Sequence, residues 1–164
     1  MGSSRRSLPL TIAIIESELR TALSGAVTDW PIRWPNEPWA ANILLTNGNL
    51  PTNPDGTPMP FVEAEVIHGT PIIAIGPEGQ RVTYRYGMMK VYAIYPQGIG
   101  TTDLTTHLDN IETHFQQKTI QLDLAQSQRL TTLNPRTDNN AAAVESGNRF
   151  VRTVTVPYEF FYRT

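Results

Sequence analysis

The sequence predicts an α+β fold, a mixed and largely antiparallel sheet with two helices packed on it. Two apolar stripes at helical spacing support this: Leu8, Ile12, Ile15, Leu19 and Leu23 in one segment, and Leu104, Leu108, Ile111 and Phe115 in another. The segments Phe61 to His68, Arg81 to Tyr95 and Phe150 to Tyr162 are rich in Val, Tyr, Ile and Phe without helical spacing, the mark of half-buried strands. A helix, then strands, then a second helix among further strands suits an α+β domain better than a regular βαβ alternation.

Taken in order, Ser7 can cap a first helix from Leu8 to Ser24, with Pro9 tolerated in the first turn and Gly25 ending it. In the segment Trp30 to Trp39 (W-P-I-R-W-P-N-E-P-W) three prolines exclude a helix and predict a short edge strand followed by a polyproline-like run. Its three Trp suit either a carbohydrate or peptide platform or, more commonly, anchors that fix an irregular segment to a core. Turn formers from Asn47 to Pro60 predict a long loop. Phe61 to His68 then alternates, with Val62, Ala64 and Val66 opposite Glu63 and Glu65, and Ile72 to Ile75 is a second apolar run before the Gly76 to Gly79 turn.

In the long strand from Arg81 to Tyr95, Tyr84 and Tyr86 oppose Arg81 and Arg85. Beyond Gly87 the apolar set is Met89, Val91, Ala93 and Tyr95, and a bulge or bend at Gly87 would account for that change of phase. Pro96 and Gly98 break the strand. Gly100-Thr101-Thr102 supplies an N-cap hydroxyl for a second helix from Thr102 to Gln116. Ile120 to Leu124 and Gln128 to Leu133 follow as short strands. Asn134 to Asn148 is predicted as a second long loop, and a final strand contains Pro157, which needs an edge or a bulge. About six strands result.

A chain of 164 residues is most simply one domain, 1–164, able to bury about two thirds of its unfolded surface without a disulfide or metal. The absence of Cys excludes a disulfide scaffold and suits synthesis in a reducing cytoplasm. Net charge is −2 and 17% of residues are charged, below the usual ~25%, so the totals imply no basic face for nucleic acid or anionic lipid. No apolar run approaches the ~20 residues of a membrane helix, and the N-terminus lacks a signal-peptide core. With 13 Pro and 11 Gly, the composition points to neutral, loop-built surface meant to be covered, as in an assembly subunit.

The chemical candidates are thin. Asp103, His107, Asp109, Glu112 and His114 share the second helix, but its histidines stand seven apart, whereas zinc ligands on one helix need three or four. His68, His107 and His114 are the only histidines, and no nucleophile elbow accompanies them. The glycines match no phosphate-binding spacing. Arg81, Arg85 and Lys90 interleave with Tyr84, Tyr86 and Tyr92 as in single-strand binders, yet Glu63 and Glu65 on a neighbouring strand make cross-strand ion pairs the plainer reading. No catalytic, cofactor or metal residue is expected.

The order of parts resembles a known family. An amphipathic first helix, P-I-R-W-P-N-E-P-W, F-V-E-A-E-V, a Gly-rich turn, R-Y-G-M-M-K-V-Y-A-I-Y-P-Q-G-I-G-T, a helix with L-x3-L-x2-I-x3-F and the closing F-V-R-T-V-T-V-P-Y-E-F-F-Y-R-T are similar to the small tail terminator (tail completion) proteins of long-tailed phages and related prophage or gene-transfer elements. The most telling pieces are Trp34 to Asn36, Pro96-Gln97-Gly98 before the capped helix, and Val156 to Tyr158. The likeness covers most of the chain, and the Asn47 to Pro60 loop is longer than the family leads one to expect.

The resemblance implies a non-enzymatic virion protein without cofactors, assembled in a bacterial cytoplasm and placed at the head-proximal end of the tail. It implies a homo-oligomeric ring, six-fold in the family, that caps the last ring of tail tube protein, stops its polymerisation and offers a docking surface to a head-completion or neck protein. DNA would only pass through the lumen, and no membrane is involved. Glu63 and Glu65 are then candidates for the lumen face, with the acidic side of the second helix (Asp103, Asp109, Glu112) as the alternative, and Trp34, Trp39, Arg81 and Arg85 for subunit or partner contacts. Another head–tail connector, a tail-tube subunit, or a ligand-binding α+β module at the Trp30 to Trp39 segment are the alternative readings.

Overall fold

A computed structural model describes residues 11–46, 50–74, 76–77, 81–98, 102–123, 128–144 and 149–163. The elements run α1 (Thr11–Ala26), β1 (Ile32–Arg33), β2 (Phe61–Ala74), β3 (Val82–Pro96), α2 (Thr102–Phe115), β4 (Thr119–Asp123), β5 (Gln128–Thr132), β6 (Arg136–Val144) and β7 (Arg149–Arg163). Among the described residues seven strands form one sheet in the order β1-β2-β3-β7-β5-β4, with β6 also paired to β7. Only β1 and β2 are parallel. The α+β class, with a largely antiparallel sheet and two helices, is therefore observed.

Both helices lie on one face of the sheet. The stripe Leu104, Leu108, Ile111 and Phe115 of α2 is wholly buried. It joins Ile15, Leu19 and Leu23 of α1 over Val62, Ala64, Met89, Val91, Ala93, Val154, Val156, Tyr158 and Phe160. Full burial of side chains such as Phe115 and Phe160 contributes about 1.5–3 kcal/mol each. In α1 the described helix continues through Gly25, where Val27 N–H donates to Leu23 O at 2.9 Å. The expected stop at Gly25 is thus displaced, and Ser7, Leu8 and Pro9 lie outside the described residues. Ile12 is exposed instead of buried, and Ala22 takes a place in the core.

Several connections differ from expectation. Phe61 to Ala74 is one long strand, not a strand and a separate apolar run, and its irregularity falls between His68 and Pro71. β3 carries no bulge at Gly87: its pairing with β7 is unbroken from Val82 to Pro96. Period two holds throughout, with Thr83, Met89, Val91, Ala93 and Tyr95 buried and Tyr84, Tyr86 and Met88 exposed.

The predicted loop from Asn134 to Asn148 is corrected, because residues 136–144 form β6 along β7. Pro157 needs neither an edge strand nor a bulge. β5 pairs with β7 through Tyr158 and β6 pairs from Thr155, so Pro157 faces the gap between them. Its carbonyl accepts from Leu133 N–H in that gap at 2.9 Å, and its missing N–H points the same way, away from the β3 ladder. Within the Asn47 to Pro60 stretch, residues 50–60 are tied by bridges Leu45↔Pro51 and Thr52↔Pro58, and Arg149 Nη1 donates to Met59 O at 3.1 Å.

Candidate interaction surface

With the helices on one side, the opposite sheet face has no covering layer among the described elements. Period two presents Glu63, Glu65 and Ile67 of β2 there, opposite Tyr92, Lys90 and Met88 of β3. Past the irregularity Ile72 faces Tyr84, which faces Phe161 on β7 with ring centroids 6.3 Å apart. The guanidinium of Arg129 lies 4.8 Å from the Phe161 ring. Ile67, Ile72, Tyr84, Tyr86 and Met88 are between 36% and 56% exposed. Large apolar side chains scattered singly need no explanation, but a contiguous set on one uncovered sheet face marks an interaction site.

The other end of the same face is polar. Arg33 Nη1 donates to Glu63 Oε1 at 3.2 Å, and Tyr92 Oη donates to Glu65 Oε1 at 2.6 Å. Burial, reinforced by the Glu65 hydrogen bond, pushes the Tyr92 phenol up to about 12. Glu63 and Glu65, with Arg33, Trp34, Pro35, Asn36 and Tyr92, line a cleft of about 390 Å³. Neither glutamate pairs with an arginine of β3. The expected cross-strand pairs are replaced by a β1 arginine and a tyrosine hydroxyl.

The other candidates are placed as follows. Trp34 is half-buried with the Arg20 guanidinium 4.5 Å over its ring, and Arg20 is ion-paired with Glu37. Trp39 packs edge-on against the buried Phe61 ring, at 5.2 Å, and lies beneath Arg33. Trp30 is a core anchor against Tyr95 and His107. The three tryptophans are thus each engaged by the fold. Arg81 is exposed just before β3, whereas Arg85 turns to the helix side, its Nη1 donating to Gly69 O at 3.3 Å. Glu63, Glu65 and Trp34 come together, whereas Arg85 lies in the first part of β3 and Arg81 just before it.

A polar cluster on the helix side was not legible from the sequence. His68 Nδ1 is 2.8 Å from Tyr158 Oη, and His68 Nε2 is 3.0 Å from Glu16 Oε1, which ties α1 to β2 and β7. Burial pushes the Tyr158 phenol up to about 12, so it stays protonated and available as a donor. On α2, His107 packs on Trp30 at 4.0 Å, and the His114 ring accepts from Lys118 Nζ at 2.8 Å. Burial, with Lys118 second, holds the His114 pKa below its ordinary value. Among the described residues no group of three His, Cys, Asp or Glu could hold a metal ion.

The fold and surface define a class: an α+β domain whose single sheet is covered by helices on one face and presents an apolar strip on the other. No family model matches the chain, and no curated protein matches it. Among solved structures, one whose name states no activity is similar at 14% identity, over 88% of this chain and 94% of its own, with a TM-score of 0.46. A likeness of that size carries no argument about function.

Proposed function

We propose that the chain is a non-catalytic, ring-forming subunit that caps a phage tail tube, ends its polymerisation and provides a docking surface for the head. The observation that carries this reading is the uncovered sheet face, where Ile67, Ile72, Tyr84, Tyr86 and Met88 form one exposed apolar strip. Aromatic residues and Met are enriched at protein interfaces, and a contiguous apolar strip on an uncovered sheet face suits coverage by a protein partner. The resemblance of the strand and helix motifs to tail terminators supplies the identity of that partner, the tube protein. On this reading the apolar end of the face meets the tube, and the end bearing Glu63 and Glu65 borders the lumen. Carboxylates there would avoid the phosphate contacts that hold a passing duplex.

The test is light scattering and electron microscopy of the purified protein, followed by its addition to polymerising tube subunits. The expected result is a closed ring that halts tube elongation. A connector would leave elongation unchanged, and a tube subunit would copolymerise. A protein that stays at one-copy mass, alone and with tube protein, overturns the reading. Tyr86→Lys, which places a charge in the strip opposite Glu159 of β7, is expected to leave stability within about 0.5 kcal/mol of wild type. The same variant should weaken tube capping at least tenfold. Undiminished capping would move the tube contact off this face.

A further inference from the structure

We propose that copies of this chain join edge to edge, β4 of one copy adding as a parallel strand to the outer edge of β2 in the next. The inference deepens the ring reading and rests on it. Val62 N–H donates to Pro31 O at 2.9 Å, so the Val62 backbone points away from β3, and period two points Ala64, Val66 and His68 the same way. β1 covers only Val62 and Glu63 before the chain leaves at Trp34. At the opposite end of the sheet, Thr132 N–H donates to Lys118 O at 2.8 Å, which turns residue 118 toward β5 and the Thr119 and Gln121 backbones outward. Among the described residues no strand pairs with either of these edges.

Three features fit the two edges to one another. The free stretch of β2 between the end of β1 and the irregularity is Ala64 to His68, and β4, Thr119–Asp123, is likewise 5 residues long. Strand directions also agree. Counting antiparallel steps from β2 through β3, β7 and β5 to β4 brings β4 back to the direction of β2, so under a rotation axis the joint is parallel. β1 is already parallel to β2, and β4 of the neighbour would take over from it in the same sense. Charge then selects the partner. Pairing β2 with another β2 would bring two Glu63/Glu65 pairs together, whereas β4 carries one acid, Asp123 at its end, begins beside Lys118 and lies next to Arg129.

The sequence leaves these edges only lightly guarded. Sheets usually block a free edge with Pro, Lys or a bulge. Ala64 to Ile67 has none of these, and Thr119 to Asp123 contains neither Pro nor Lys, its one irregularity falling after Gln121, past the outward Thr119 and Gln121 backbones. Because the two edges are different surfaces at opposite ends of one sheet, the contact is head-to-tail and repeats until the rotation closes.

The experiment uses two variants of the full chain. Thr119→Pro removes an outward N–H without touching the β4–β5 ladder, and Val66→Pro does the same on β2. Each alone should fall from ring mass to one-copy mass in light scattering with an unchanged circular dichroism spectrum. Mixed, they should form a dimer and stop there, because each retains the edge the other lacks. If Thr119→Pro misfolds, Gln121→Pro makes the same test. Rings from both variants would overturn the edge joint while leaving the ring reading intact. A wild-type protein that never exceeds one-copy mass would overturn both.

Discussion

Leu108→Asp is expected to destabilise the protein by about 3 kcal/mol or more, because a carboxylate is placed where no partner can satisfy it. Leu108 is 7% exposed and sits in the middle of the α2 stripe, between Leu104 and Ile111, inside the core cluster. The alternative to burial is for the carboxylate to drag the helix off the sheet, which would expose Phe115 and the β3 and β7 residues beneath. At roughly 2–4 °C per kcal/mol for a domain of this size, the melting temperature should fall by about 6–12 °C. Asn110→Asp, on the exposed side of the same helix, is the control and should shift stability by less than about 0.5 kcal/mol. An unchanged melt for Leu108→Asp would mean that α2 does not pack its Leu104 to Phe115 stripe on the sheet.

That stripe was fully legible because it depends only on spacing within one helix, and four buried residues answer to four expected ones. β6 was not legible. Its residues, R-T-D-N-N-A-A-A-V, are poor strand formers with no alternation, and what makes them a strand is the free second edge of β7. The same holds for Pro157. A local rule forbids proline in a central strand, yet the rule concerns one N–H, and two partners that divide the edge of β7 leave that N–H unneeded.

The apolar strip was half legible. Tyr84 and Tyr86 share a face in any strand, but Ile67 and Ile72 join them only through the register of β2 on β3 and the irregularity between His68 and Pro71. The cluster of Glu16, His68 and Tyr158 spans 142 positions from Glu16 to Tyr158, and no local pattern could have announced it. The bend expected at Gly87 is absent, because β3 pairs with β7 without a break. The irregularity lies on β2, beginning at His68, the residue that faces Gly87.

Gly87→Ala is therefore expected to cost about 1–3 kcal/mol, the range for overpacking a close-packed interior, although glycine in a strand is ordinarily improved by alanine. The reason is crowding, not backbone conformation. A Cβ on residue 87 would stand 2.3 Å from Tyr158 Oη, 2.4 Å from Tyr158 Cζ and 2.4 Å from the Ile67 carbonyl oxygen. The phenol can swing away only by giving up His68, which also releases Glu16 and the α1 contact it holds. The Ile67 carbonyl belongs to the β2 backbone, paired to β3 at Met88, and cannot retreat without opening that ladder. Two variants separate the terms. Tyr158→Leu in the Gly87→Ala background removes the ring from the contact but leaves the carbonyl, so it should not restore wild-type stability. A double variant as stable as Tyr158→Leu alone would show that the tyrosine was the whole obstacle, and a Gly87→Ala protein melting at or above wild type would refute the close approach itself.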